Sequence, residues 1–136
     1  MRNYRSFTYL SSILIFFLLF FLDLGTKYLW AEIAMQNAVF SFPIQLIAVV
    51  GFMIVVLTQK TWFWGSFGLA GAGGNLFDRF MLGHVRDWIS WSWNQEVILF
   101  SNLADLWLTM AVIGIGWSLF WSMMNDLGNG STIHRW

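Results

Sequence analysis

A chain of 136 residues in which 58% are hydrophobic and only 10% charged cannot cover a folded globule with polar surface, because a soluble domain carries roughly 25% charged residues. Seven basic residues balance seven acidic ones, and with no net charge and no basic run there is nothing to bind nucleic acid electrostatically. The lack of cysteine excludes disulfides, thiolate metal sites and a cysteine nucleophile, and leaves no residue of this chain to be lipidated as a lipoprotein precursor.

Lipid is therefore the expected solvent, in keeping with a mean hydropathy of +0.64. A membrane helix needs about 20 apolar residues, so the length suits four spans with short connections. The expected fold is an all-α integral membrane protein, one polytopic domain over 1–136, with a small element outside the membrane. Met1 to Phe7 is polar and carries Arg2 and Arg5; the first span follows at about 9–24. A basic start before a short apolar run also suits a signal peptide, but Leu22-Asp23-Leu24-Gly25-Thr26-Lys27 offers no small-x-small cleavage site. Residues 28–41 form a mixed connection. The second span covers about 42–58, with Pro43 tolerated in its first turn, and Gln59-Lys60-Thr61 makes a tight turn.

The third span, about 62–79, contains glycines at 65, 68, 71, 73 and 74. Small residues of this kind let membrane helices approach closely. Phe80 to Glu96 is the longest polar connection, 97–124 the fourth span, and Asn125 to Trp136 a polar tail expected to fray. Tryptophans 30, 62, 64, 88, 91, 93 and 121 gather at the ends of the apolar runs, as interfacial anchors do.

Four alternating spans turn spacing into geometry. Asp23, then Asn75, Asp78 and Arg79, then Asn102 and Asp105 fall on one membrane face, together with the connection that carries Asp87. Lys60 and both termini fall on the other. Arg2, Arg5, Lys60 and Arg135 stand against Lys27, Arg79 and Arg86, which places the termini in the cytoplasm once the two arginines among the carboxylates are discounted.

Charge at the edge of hydrocarbon marks a functional site by default. Asn75, Asp78 and Arg79 at i, i+3 and i+4 share a helix face, as do Asn102 and Asp105. One reading of such groups is glue between helices, and Asp78 with Arg79 fits it. Asp105 has no basic neighbour in sequence and, in a span starting at Val97, would be desolvated two turns inside. Should Asp87 fold back beside it, the pair would share a proton. One carboxylate then activates water while the other protonates or polarises a scissile carbonyl. That chemistry needs no metal and no cofactor. His84 and His134 fall on opposite faces, which leaves no metal-binding histidine pair. Lys60 lies on the wrong face for a Ser–Lys dyad, and Gly71-Ala-Gly-Gly lacks the lysine of a phosphate loop.

Taken together, Asp23-x-x-Thr26-Lys27, Gly-Gly-Asn75-Leu-Phe-Asp78-Arg79, Gly83-His-Val-Arg-Asp87-Trp and Asn102-Leu-Ala-Asp105 resemble the lipoprotein signal peptidase (signal peptidase II) family, membrane aspartic proteases of bacteria. The resemblance covers essentially the whole chain. It implies Asp87 and Asp105 as the catalytic dyad, and Asn75, Arg79 and Asn102 as residues that shape the site and hold the substrate. It implies Asp23 and Lys27 as an accessory pair at the mouth, with Asp78 and Asn37 also at the site. The implied substrate is a diacylglyceryl-modified prolipoprotein, cut just before its lipidated cysteine. The implied setting is the bacterial inner membrane, with the site near its outer face, membrane lipid as partner, and a monomer.

The glycines of the third span would leave a groove for the signal helix. Three departures stand out. Asn37-Ala-Val-Phe40-Ser41 replaces the family's Asn-x-Gly-x-x-Phe, the 28–41 connection is short, and Arg86 precedes Asp87. In an extended segment Arg86 and Asp87 point to opposite faces. Two other readings stay open: a small proton-coupled transporter, for which Asp23 lies too near the end of its span, and a non-catalytic or specialised relative of the peptidase.

Overall fold

The computed structural model describes the backbone of residues 2–37 and 42–129, and the side chains of 9–37 and 42–127. Phe40 and Ser41 of the departed motif, the side chains of Arg2 and Arg5, and His134 and Arg135 lie outside the described residues. Four long helices carry the molecule: α1 (Arg2–Leu29), α2 (Phe42–Gln59), α3 (Trp62–Leu82) and α4 (Leu103–Asn129). Between them lie β1 (Met35–Asn37), β2 (Val85–Asp87), β3 (Ile89–Trp93) and β4 (Glu96–Ser101).

Three of the helices, over Tyr9–Leu29, Phe42–Gln59 and Leu103–Leu127, are long and apolar enough to cross a membrane. The helix α3 is not in that group. Its glycines and the polar Asn75, Asp78 and Arg79 dilute its apolar character, and it packs against all three other helices. It is the central helix, and its face is built from small residues: Gly65, Ser66, Gly68, Ala70, Gly71, Ala72 and Gly74 are buried. A Cβ at Gly71 would strike the Ala104 carbonyl of α4, and one at Gly74 would strike the Asp23 carboxylate of α1. The small residues are therefore consumed in packing the bundle, and the expected groove for a signal helix along Gly71 and Gly74 is not there. Gly114 makes the same kind of contact in reverse, lying under the Trp64 indole.

Two boundaries differ from the expected ones. The third helix continues past Arg79 to Leu82, where Gly83 takes the left-handed conformation (φ 80°) and donates its N–H to the Arg79 carbonyl at 3.0 Å, the helix stop that glycine provides without a Cβ clash. Residues 97–101, expected as the start of the fourth span, instead form β4. Their apolar run is four residues of strand-forming Val, Ile, Leu and Phe, and length alone does not separate strand from helix there. The reversal before it is a two-residue hairpin in which Asn94 (φ 49°) and Gln95 (φ 68°) both have positive φ, the turn whose twist suits paired strands.

The small element outside the helices thus consists of two antiparallel pairs. In the first, β1 pairs with β2, Met35 facing Asp87 and Asn37 facing Val85. In the second, β3 pairs with β4, Ile89 facing Ser101, with an irregularity between Trp91 and Ser92. The short 28–41 connection still reaches far enough to supply β1. Among the tryptophans, Trp30 stacks on Trp88 at 5.9 Å and Trp62 meets Tyr9 edge-on at 5.1 Å. Trp93 and Trp121 are exposed, as interface anchors would be.

Candidate active site

The C-terminal end of α1, the C-terminal end of α3, the N-terminus of α4 and the strand β2 converge at one end of the bundle. Every residue expected at the site has a described place there. The scaffold beneath it is an ionic cluster. Lys27 Nζ lies 2.8 Å from Asp23 Oδ2 and 3.7 Å from Asp78 Oδ2, all three side chains fully buried. Asp23 and Lys27 are one helical turn apart, so α1 presents them on one face. The other oxygen of Asp23 accepts the Ala104 N–H at 2.8 Å. That N–H is one of the unsatisfied donors at the start of α4, so Asp23 fixes where α4 begins and places negative charge at the positive end of its dipole.

The start of α4 is also closed from within. Asp105 N–H donates to Asn102 Oδ1 and Asn102 N–H donates to Asp105 Oδ2, both at 3.1 Å. This reciprocal pair is a capping box made from asparagine and aspartate. It places Asp105 in the first turn of α4 rather than two turns inside a span, and it explains the Asn-x-x-Asp spacing without any appeal to chemistry.

Two asparagine amides connect the buried cation to the carboxylates. Asn75 Oδ1 accepts from Lys27 Nζ (2.7 Å) and from Asn102 Nδ2 (3.1 Å), which turns the Asn75 NH₂ toward Asp105 Oδ1 at 2.9 Å. The Asn102 NH₂ in turn reaches Asp87 Oδ1 at 2.6 Å. Asn37, from β1, donates to the other oxygen of Asp87 at 2.9 Å. All four carboxylate oxygens of Asp87 and Asp105 therefore accept a hydrogen bond from a residue that is itself fixed. Desolvation by burial raises the Asp87 carboxyl above its ordinary range, the Asn37 bond opposes it, the Asp105 charge adds to it, and Asn102 and Lys27 lower it again. The net shift is upward.

Asp87 and Asp105 open onto a pocket of about 340 Å³ lined also by Asn37, Asn75, Arg79, Gln45, Ile44, Ala48, Val85 and Leu108. One wall is polar, the other apolar and contributed by α2 and α4. Asp23, Lys27 and Asp78 do not line this pocket. They sit fully buried beneath it rather than at its mouth. Asp78 takes Arg86 in a two-pronged pair, with Nη2 to Oδ1 at 2.7 Å and Nε to Oδ2 at 3.2 Å, and accepts the Arg86 N–H as well. So Arg86 turns away from its neighbour Asp87, as alternation in β2 demands, and locks β2 onto α3. Asp78 serves as glue, with Arg86 and Lys27 as its partners.

Arg79 faces the pocket and donates to Gln45 Oε1 of α2 at 2.6 Å. Gln45 is the residue that sequence reasoning missed. An amide inside the otherwise apolar run of α2 was the available signal, since polar groups within a span are held to a partner or a site.

A bundle of long apolar helices with a buried ionic scaffold and two carboxylates on one pocket at its end defines a helical membrane protein. The family model described as Signal peptidase (SPase) II matches residues 30–121, and the chain belongs to that family. Among similar curated proteins, the lipoprotein signal peptidase of Sulfurihydrogenibium sp. (strain YO3AOP1) is 44% identical over 52 residues, 38% of this chain and 32% of that one. The lipoprotein signal peptidase of Dichelobacter nodosus (strain VCS1703A) is 44% identical over 45 residues, 33% of this chain and 29% of that one. The aligned stretches thus span about a third of each relative's length. A bacterial membrane enzyme solved by the in meso method at 2.3 Å resolution superposes with TM-score 0.70 at 21% identity, covering 93% of this chain and 94% of that one. A second, at 1.9 Å resolution, gives 0.65 at 24% identity over 80% and 92%. At these identities the two structures establish a shared fold.

Proposed function

We propose that this protein is an aspartic endopeptidase of the inner membrane that removes the signal peptide from diacylglyceryl-modified prolipoproteins, cutting before the lipidated cysteine. The observation that carries this reading is the meeting of Asp87 and Asp105 at one pocket, each bonded through an asparagine that Lys27 or the α4 cap holds in place. Family membership supports the substrate class.

In the proposed reaction the pair shares one proton. The ionised carboxylate removes a proton from a water molecule, whose oxygen adds to the scissile carbonyl carbon, while the protonated carboxyl donates to the carbonyl oxygen. The tetrahedral carbon then expels the amide nitrogen, which takes the proton gained from water; as the C–N bond breaks, one hydroxyl returns its proton to the other carboxylate, the C=O bond re-forms and the pair again shares one proton. Arg79, held by Gln45, contributes a fixed positive charge beside the developing oxyanion. The apolar wall of Ile44, Ala48 and Leu108 receives the end of the signal segment, and the acyl chains stay in the bilayer.

The chain acts as one polytopic domain and as a monomer. All four helices cross the membrane, with both termini cytoplasmic and the strand element outside. The test is cleavage of a lipidated prolipoprotein by the wild type beside Asp87→Asn and Asp105→Asn. Loss in both variants with the helical content kept supports the dyad, and retained cleavage in either sinks it.

A further inference from the structure

A second cavity, also about 340 Å³, is bounded by Met35, Gln36 and Asn37 of β1, by Val97, Ile98, Leu99 and Phe100 of β4, and by Asp87. Asn37 and Asp87 line both this cavity and the one that holds the carboxylate pair, so the two meet at that hydrogen-bonded couple. Their walls differ in kind. The first is walled largely by helices, with apolar Ile44, Ala48 and Leu108. Apart from Asp87 at the end of β2, the second is walled by β1 and β4 alone.

Side chains alternate across a strand, so a cavity resting on one strand face touches every second residue. This one touches consecutive residues of β1 and consecutive residues of β4, so it runs along strand edges. Among the described residues β4 pairs only with β3, which leaves its other edge to offer. An unpaired edge presents backbone donors and acceptors ready to bind another extended chain, and peptide recognition by strand addition uses that arrangement.

We propose that this cavity binds the polypeptide just C-terminal to the scissile bond as an extended strand along the edge of β4, on the side of the cavity that faces β1. The inference rests on the peptidase reading and assigns the direction of the substrate within it. A bond poised at Asp87 has an apolar, helix-lined cavity on one side, which suits the signal segment. On the other side it has a strand-lined cavity, which suits the mature chain. Recognition through backbone groups tolerates many side chains and rejects blocked amides.

The absence of cysteine from the chain gives a direct test by disulfide trapping. Gln36→Cys and Ile98→Cys are placed singly at exposed wall positions, and Trp117→Cys at an exposed position on α4, each combined with Asp105→Asn to hold the substrate uncut. The probe is a diacylglyceryl-modified prolipoprotein peptide with one free cysteine three to five residues beyond the lipidated one. The expected result is trapping at Gln36→Cys and Ile98→Cys but not at Trp117→Cys, lost when the free cysteine is moved upstream of the scissile bond. With the wild-type enzyme, N-methylation of the same downstream amides lowers kcat/KM about tenfold, as loss of a backbone hydrogen bond would. Cleavage indifferent to methylation, or trapping that favours upstream positions, overturns the strand cavity and leaves the peptidase reading intact. Failure of the wild type to cut the unmethylated lipidated peptide contradicts the peptidase reading itself.

Discussion

The Asn75 amide shows how much one side chain settles. Its carbonyl takes donors from Lys27 and Asn102, so its NH₂ has to face Asp105. A carboxylate held in that way cannot rotate off its target, and positioning within fractions of an ångström is what acid–base catalysis needs. Asp87→Asn and Asp105→Asn are each expected to lower the cleavage rate by about 10²- to 10⁴-fold with circular dichroism unchanged. The raised carboxyl of Asp87 also has a signed effect on stability. The folded state holds that proton more tightly, so this group's contribution is fullest below the ordinary carboxylate pKa and is lost as pH rises through the raised folded value. Thermal melts in detergent should show Tm falling as pH rises above the ordinary carboxylate range from this source, and the slope should flatten in Asp87→Asn; an unchanged slope refutes the assignment. Asp87, Asp105, Asn75 and Asn102 were legible because carboxylates and amides are rare and conspicuous in an apolar chain. The direction each faces was not, because partners such as Lys27–Asn75 and Asn37–Asp87 lie about 50 residues apart in sequence and only the fold joins them.

At the scale of elements, the helix junctions carry the account. The helix α3 meets α4 through Gly71 and α1 through Gly74, whereas a Cβ at Gly25 or Gly116 meets nothing within 4 Å. Gly71→Leu and Gly74→Leu are therefore expected to destabilise by about 1–3 kcal/mol or more, read as lower Tm. Gly25→Ala and Gly116→Ala are expected to leave Tm unchanged or slightly raised, since alanine favours helix. Removing Asp23 strips Lys27 of the nearer of its two carboxylate partners and α4 of a cap, so Asp23→Ala should cost about 3–5 kcal/mol; a smaller loss would mean that Asp78 and Asn75 together satisfy Lys27. The glycine positions were read correctly as sites of close approach, but which helix fills them is a tertiary fact. The β4 strand is not legible because only Ser101-Asn102 separates the apolar run 97–100 from α4, and the hairpin turn at Asn94-Gln95 lacks the glycine that usually announces it.

At the scale of the molecule, alternation of four helices gathers α1, α3 and α4 ends with β2 into one site and sends Lys60 to the far end. That much follows from counting apolar runs, which is why the helical fold was legible from hydropathy. Two-sided labelling should confirm the proposed orientation: in a chain without cysteine, Lys60→Cys should react with a membrane-impermeant maleimide only from the cytoplasmic side, and His84→Cys only from the outer side. The reverse pattern contradicts the placement of the site near the outer face.

Cleavage of lipidated prolipoproteins by the Asp87–Asp105 pair is open to one direct gel-shift assay. Purified wild type in lipid is given the diacylglyceryl-modified prolipoprotein and, separately, its unlipidated precursor, with Asp87→Asn and Asp105→Asn alongside. The expected result is cleavage of the lipidated form only, abolished in both variants. Cleavage that persists in either variant, or no cleavage by a folded wild type, would contradict it.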